Sequence, residues 1–178
     1  MTSRDRSALP VWYAVRTRHQ HEKTVAHALS DKDFEVFLPL YAIRRRWKDR
    51  VKELRLPLFP SYLFLRANMD RKVEILRVPG VHRFVGFGGL PAAIPEEEIA
   101  TIKQVLHGSA QVQPHPFLKI GDRVKVKSGP LAGIEGILVR QKNQCWLVVS
   151  VESLTKSVCV EVELSKVEQL SSTSVPTN

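Results

Sequence analysis

Residues Gly108 to Pro116 (GSAQVQPHP) carry no Asp, Glu, Lys or Arg, show no hydrophobic periodicity and include two prolines. Such a run does not propagate a helix and reads as a linker, so the flanking segments are expected to fold separately. The textures on its two sides differ. Before it, aromatic and β-branched runs alternate with helical spacing; after it come short strand-like runs punctuated by Gly121, Gly129, Gly133 and Gly136. The division predicted from this is a loose leader over 1–10, an α+β domain over 11–107, the linker over 108–116, a small all-β barrel over 117–170, and a fraying tail over 171–178.

Within the first domain, Val11 to Arg16 (VWYAVR) predicts a strand and Glu22 to Asp31 an amphipathic helix with Val25, Ala28 and Leu29 inward. Phe34 to Leu38 reads as a short strand, Arg44 to Arg55 as a solvated hairpin or loop, and Tyr62 to Leu65 as a buried strand. Asp70 to Arg77 suggests a helix stopped by Pro79-Gly80, and Val81 to Phe87 a further strand. Pro95 followed by Glu96, Glu97 and Glu98 predicts a helix start running to about Leu106, because proline pre-sets φ and carboxylates favour the positive dipole end. After the linker, strands are expected over Arg123 to Lys127, Gly136 to Arg140, Cys145 to Val151 and Val158 to Leu164.

The 178 residues carry a formal net charge of +9, and its placement is uneven. Residues 1–107 hold 19 basic and 12 acidic groups, and the rest 8 and 6. Arg44 to Arg55 alone contains seven basic residues against Asp49 and Glu53. Arginine at five of those seven positions, with Trp47 among them, suits phosphate forks and base stacking; a solvated hairpin accounts for the charge equally well. A field of this sign attracts a polyanion or an acidic protein face.

Several function classes fall away. No serine, cysteine or histidine sits in a nucleophile elbow or dyad pattern, and no phosphate-cradling loop is present, so an enzyme is not expected. Cys145 and Cys159 lack a Cys-x-x-Cys partner, and His19 and His21 lack ligand spacing, so neither metal nor cofactor is expected. Two cysteines in apolar runs read as packed thiols in a reducing, cytoplasmic setting. No apolar run approaches the ~18 residues of a membrane span, and no charged-then-apolar leader opens the chain, so neither membrane insertion nor secretion is expected.

The segments Trp12-Tyr13-Ala14-Val15 with Glu22-Lys23, Leu58 to Phe64 (LFPSYLF), Pro79-Gly80-Val81 and Phe84 to Gly89 (FVGFGG) together resemble the N-terminal (NGN) domain of NusG-type transcription factors. Phe117 to Leu131, with Gly121-Asp122-Arg123-Val124, Ser128-Gly129-Pro130 and Ala132 to Gly136, resembles their SH3-like KOW barrel. The Leu58–Phe64 and Gly88–Ala92 wording is closer to the specialised RfaH, UpxY and LoaP antiterminators than to housekeeping NusG. The resemblance implies an antiparallel sheet flanked by helices, then an all-β barrel, in a monomer that rides on RNA polymerase. It implies docking on the clamp helices of the largest subunit, suppression of pausing, and antitermination. A housekeeping NusG acting also in Rho-dependent termination is the alternative, and a ribosome-associated RNA-binding protein a second one. Phe59, Pro60, Tyr62 and Phe64 match the docking surface, with Phe87, Ile99 and Ile102 as neighbours. Arg71, Lys72 and Val73 fall at the gate-loop position, although the RfaH polar motif is absent. Arg16, Arg18, His19 and Lys23 lie near the segment that meets non-template DNA in RfaH, and Arg44, Arg45, Arg46 and Trp47 add a second nucleic-acid candidate. The resemblance also implies a KOW domain that recruits Rho or a ribosomal protein. The β-branched residues between Val124 and Val162 favour the barrel over a refolded helical hairpin.

Overall fold

The computed structural model describes residues 9–108, 111–117, 121–141 and 144–170, arranged as two compact units, Met1–Ile99 and Ala100–Asn178. The tail expected over 171–178, and all but the last two residues of the leader expected over 1–10, lie outside the described residues. The first unit opens with β1 (Val11–Thr17), α1 (Glu22–Ser30) and β2 (Glu35–Phe37). A long ribbon follows, β3 (Leu40–Trp47) with β4 (Arg50–Pro57), and then β5 (Tyr62–Ala67). A single 3-10 turn leads into the five-residue α2 (Lys72–Leu76), followed by β6 (Val81–Phe84), β7 (Gly86–Phe87), β8 (Leu90–Pro91) and β9 (Ala93–Ile94). The last element is α3 (Glu96–Gly108), which starts after Pro95 as the carboxylate run predicts and within which the two units divide.

The main sheet is antiparallel, in the order β2-β5-β1-β6, with β9 also on β1. Strand alternation sorts its side chains onto two faces. One face carries Tyr13, Val15, Leu63, Leu65 and Phe84, packed with Val25 and Leu29 of α1 and Ile75 of α2. The other carries Trp12, Ala14 and Phe64, and here the rings of Phe37 and Phe59 meet Phe64 at 5.9 and 5.6 Å. Val81 to Phe87, expected as one strand, is two. Val85 donates its N–H to Ala14 O while Gly86 turns into a separate two-stranded ladder with β8. Among the described residues no helix is long and apolar enough to cross a membrane.

The second unit contains a six-stranded antiparallel sheet in the order β10-β14-β13-β12-β11-β15. Its strands are β10 (Val112–His115), β11 (Asp122–Val126), β12 (Glu135–Gln141), β13 (Gln144–Val151), β14 (Lys156–Val162) and β15 (Val167–Gln169). The valines from Val124 to Val162 all lie in strands. Strand β10 sits inside the span read as a linker, with Val112 opposite Val160 and His115 opposite Ser157. Pro114 argues against a central strand, but β10 is at the sheet edge, where a missing N–H is tolerated. Gly136 is required by packing: a Cβ there would fall 2.5 Å from the carbonyl oxygen of Val148.

Candidate functional site

The Leu58–Phe64 segment forms a turn clamped from below. Phe59 is only 1% exposed and its ring meets Phe64 edge-on, so it anchors the segment in the interior. Pro60 is exposed, and Ser61 takes a left-handed conformation with φ +66, unusual for a residue with a side chain. Three hydrogen bonds hold that conformation. Ser61 N–H donates to Glu22 Oε1 at 2.7 Å, Thr17 N–H donates to Ser61 O at 2.8 Å, and Tyr62 N–H donates to Phe59 O at 3.0 Å. Glu22, in the first turn of α1, is itself 3% exposed.

The candidate docking residues therefore separate into two layers. Tyr62 is half-buried, two residues after exposed Pro60. Phe59, Phe64, Ile99 and Ile102 are buried, which corrects the expectation that all of them offer surface. The physical reason for Phe59 and Phe64 is their mutual edge contact, and for Phe64 also the ring of Phe37. Phe87 is the opposite case. It lies directly opposite Leu90 across a two-residue Gly88-Gly89 turn, and the pair is 82% and 74% exposed. Both glycines have positive φ, +56 and +79, the requirement of a tight hairpin turn.

Arg71, at the gate-loop position, is engaged locally. Its guanidinium donates to both carboxylate oxygens of Glu74 at 2.8 and 3.0 Å, donates to Lys32 O at 2.8 Å, and lies 3.9 Å over the ring of Phe34. The hydrogen bond with Glu74 raises the Arg71 pKa and holds the Glu74 carboxyl below its ordinary value. Val73 is exposed and Lys72 half-buried.

The nucleic-acid candidates fall in three places. Arg16 is in β1, and a register shift follows it before Thr17. Arg18 and His19 are exposed past that shift, with Arg18 N–H donating to Gly80 O at 2.7 Å. His19 and Lys23 line a cleft of about 390 Å³ with Tyr41, Arg55 and Pro60. Lys23 Nζ also donates to Arg55 O at 2.9 Å, tying α1 to the base of the ribbon. The ribbon pairs residue for residue from Leu40↔Pro57 to Trp47↔Arg50 around Lys48-Asp49. Its tip has two unlike faces: Arg45, Trp47, Arg50 and Lys52 share one, and Arg44, Arg46, Val51 and Glu53 the other. Trp47 is 59% exposed.

Arg83 and Leu90 join the residues that the sequence singles out for the site. Arg83 stands directly opposite Arg16, a juxtaposition created by the β1–β6 pairing and invisible to local spacing. Leu90 was detectable from the Gly-Gly turn, which sets the residues before and after it opposite each other. Glu22 was legible as a motif residue, but its hydrogen bond to a residue 39 positions away was not.

A family model described as "Transcription termination factor nusG" matches residues 10–103. The Transcription termination/antitermination protein NusG of Thermus thermophilus is 30% identical over 177 residues, covering 88% of this chain and 96% of that one. Its Helicobacter pylori (strain J99) counterpart of the same name is 26% identical over 175 residues, covering 89% and 98%. A solved structure described as "Domain interaction in Thermotoga maritima NusG" superposes with a TM-score of 0.59 at 22% identity, covering 91% of this chain and 98% of that one. That likeness supports the fold alone.

Proposed function

Because the chain belongs to the NusG family of transcription factors, we propose that it is a cytoplasmic, non-enzymatic elongation factor that docks on RNA polymerase through the sheet face carrying Tyr62. The reading has the first unit (the NGN domain) bind the clamp helices of the largest subunit, suppress pausing and promote antitermination. The observation that carries it is the clamped turn. Three hydrogen bonds and a buried phenylalanine hold Ser61 in a strained conformation, and the result is to present Pro60 and Tyr62 at the surface. Strain of this kind persists where the surrounding structure overdetermines it, often at sites of function. Phe87 and Leu90 add a second apolar contact point.

Arg18, His19, Lys23 and the ribbon tip with Arg44, Arg45, Arg46 and Trp47 serve as contacts to exposed non-template DNA. Lys72 and Val73 are the free members of the gate-loop candidate, since Arg71 is already engaged by Glu74 and Phe34. The KOW domain recruits Rho or a ribosomal protein. The Leu58–Phe64 wording supports a specialised antiterminator. A second reading, housekeeping NusG, is favoured by the names of the relatives, which match nearly from end to end.

The test is co-elution of the full chain with core RNA polymerase, followed by pausing and Rho-dependent termination assays. Tyr62→Ala is expected to weaken binding about tenfold or more, as truncation of a central interface tyrosine does, while the melting temperature stays nearly unchanged. Failure of the wild type to bind, together with strong salt-sensitive RNA affinity, would move the function to RNA. Stimulation of Rho-dependent termination would favour the housekeeping reading over the specialised one.

A further inference from the structure

Tyr62, Arg16 and Arg83 form one cross-strand row on the sheet face that also carries Phe64. Arg16 is the register partner of Tyr62 on β5 and of Arg83 on β6, so all three side chains project from the same side. Directly opposed residues in antiparallel strands stand ~4.5–5.5 Å apart, and like charges there repel. Both arginines are exposed, and neither has an ion pair among the described residues. The same face neutralises an arginine where its own fold requires it. Four residues along β5, Arg66 lies 3.7 Å from both Glu35 and Glu96. Arg16 and Arg83 are left without that service.

From this row we infer that the partner docking on Tyr62 presents carboxylates, one for each guanidinium, beside the apolar side chain that meets the tyrosine ring. The inference rests on the docking reading above and specifies its chemistry. A helical partner fits the spacing, because acidic residues three or four apart on a helix stand ~5–6 Å from each other, close to the separation across the strands. Each guanidinium can then engage a carboxylate with two parallel hydrogen bonds. The composition favours a protein over a nucleic acid. Tyrosine and arginine without lysine is the make-up of interface centres. Tyr62 is also half-buried, which leaves less of its ring free for a base to stack on. The lysine-bearing basic surface lies on the ribbon.

The test compares the full-length wild type with R16Q/R83Q, and with R83Q alone, for binding to purified core RNA polymerase at 50 and 500 mM KCl. A 20-nucleotide single-stranded DNA is titrated in parallel. The double variant is expected to bind polymerase about 10–100-fold more weakly at 50 mM, with the gap closing below about threefold at 500 mM, because exposed charge pairs are screened by salt. Its melting temperature should be unchanged or about 1–2 °C higher, since a repulsion between strands has been removed. A merely structural role for the arginines would lower it instead. Equal affinity of variant and wild type at 50 mM overturns the inference and leaves the docking reading standing. So does a gap that salt does not change, or a loss confined to the DNA titration. Absence of wild-type polymerase binding at either salt overturns the docking reading and the inference with it.

Discussion

Replacing Glu22 with alanine removes a single hydrogen bond, and the geometry says how much should go with it. Glu22 Oε1 accepts from Ser61 N–H at 2.7 Å, and the carboxylate is buried. A hydrogen bond to a charged acceptor contributes about 1.5–3 kcal/mol, and a buried donor left unpaired costs about 1–3 kcal/mol. These overlap, and relief from burying a carboxylate offsets part of them, so a net loss of about 2 kcal/mol is expected. For a unit of about 90 residues this corresponds to a fall of roughly 8–15 °C in melting temperature. Differential scanning calorimetry of the full chain should find the loss in one of its transitions. Ser61→Gly supplies the internal control: it keeps the N–H but removes the penalty of φ +66, and should stabilise by about 0.5–1 kcal/mol. The double variant should recover part of the Glu22→Ala loss. A Glu22→Ala protein melting within about 1 °C of wild type would refute the reasoning, because the turn would then be held without its clamp.

Phe59→Ala should cost about 3–5 kcal/mol of stability, in contrast to the near-neutral Tyr62→Ala, and a melting temperature that barely moves would mean the Phe59 ring is not an anchor. Burial pushes the Cys159 thiol up, only partly offset by a hydrogen bond with Gln113, while Cys145 is half-buried; at pH 8 a thiol reagent should label Cys145 first and Cys159 only on unfolding, and equal rates would contradict this. The Glu74 carboxyl is held low, chiefly by its hydrogen bond with Arg71. Its folded pKa is thus below its unfolded one, so its stabilisation is present above the unfolded value and is lost as pH falls through the folded one. The melting-temperature difference between wild type and Glu74→Gln should accordingly be small at neutral pH, the pair being solvent-exposed, and should shrink further on acidification; a difference that grows with acid would reverse the sign.

Local pattern carried the element types well. Aromatic and β-branched runs between turn residues found β1, β5, β11, β12, β13 and β14, and the Pro95-Glu96-Glu97-Glu98 signal found the start of α3. What it missed depends on long-range pairing. Strand β10 contains Pro114 and a neutral, aperiodic composition, and exists because the exposed edge of β14 accepts it. The break between β6 and β7 leads into the ladder with β8, where Gly86 is needed because a Cβ would run into the carbonyl oxygen of Leu90. Burial of Phe59 was not legible either, because an aromatic between two prolines reads the same whether it points inward or outward.

Which surface each candidate residue joins depends on strand pairing rather than on order along the chain. Arg16, Arg18, His19 and Lys23 are neighbours in the chain and read as one group, with Tyr62 in another. A docking partner meets rows across strands, not segments along them. Pairing of β1 with β5 and β6 places Arg16 beside Tyr62 and Arg83, and the register shift after Arg16 separates it from Arg18. Arg18 and His19 continue into the turn before α1, and His19 joins Lys23 of α1, Tyr41 and Arg55 around the cleft. One basic segment therefore feeds two surfaces of different chemistry: an arginine–tyrosine row on a flat sheet face, and a concave basic cleft below the ribbon. A single substitution in this segment should weaken one interaction and spare the other. Replacing Arg16 and Lys23 separately, and assaying polymerase and DNA with each, is the way to see the two surfaces apart. Parallel losses in both assays from either substitution would mean that the segment acts as one undivided basic patch.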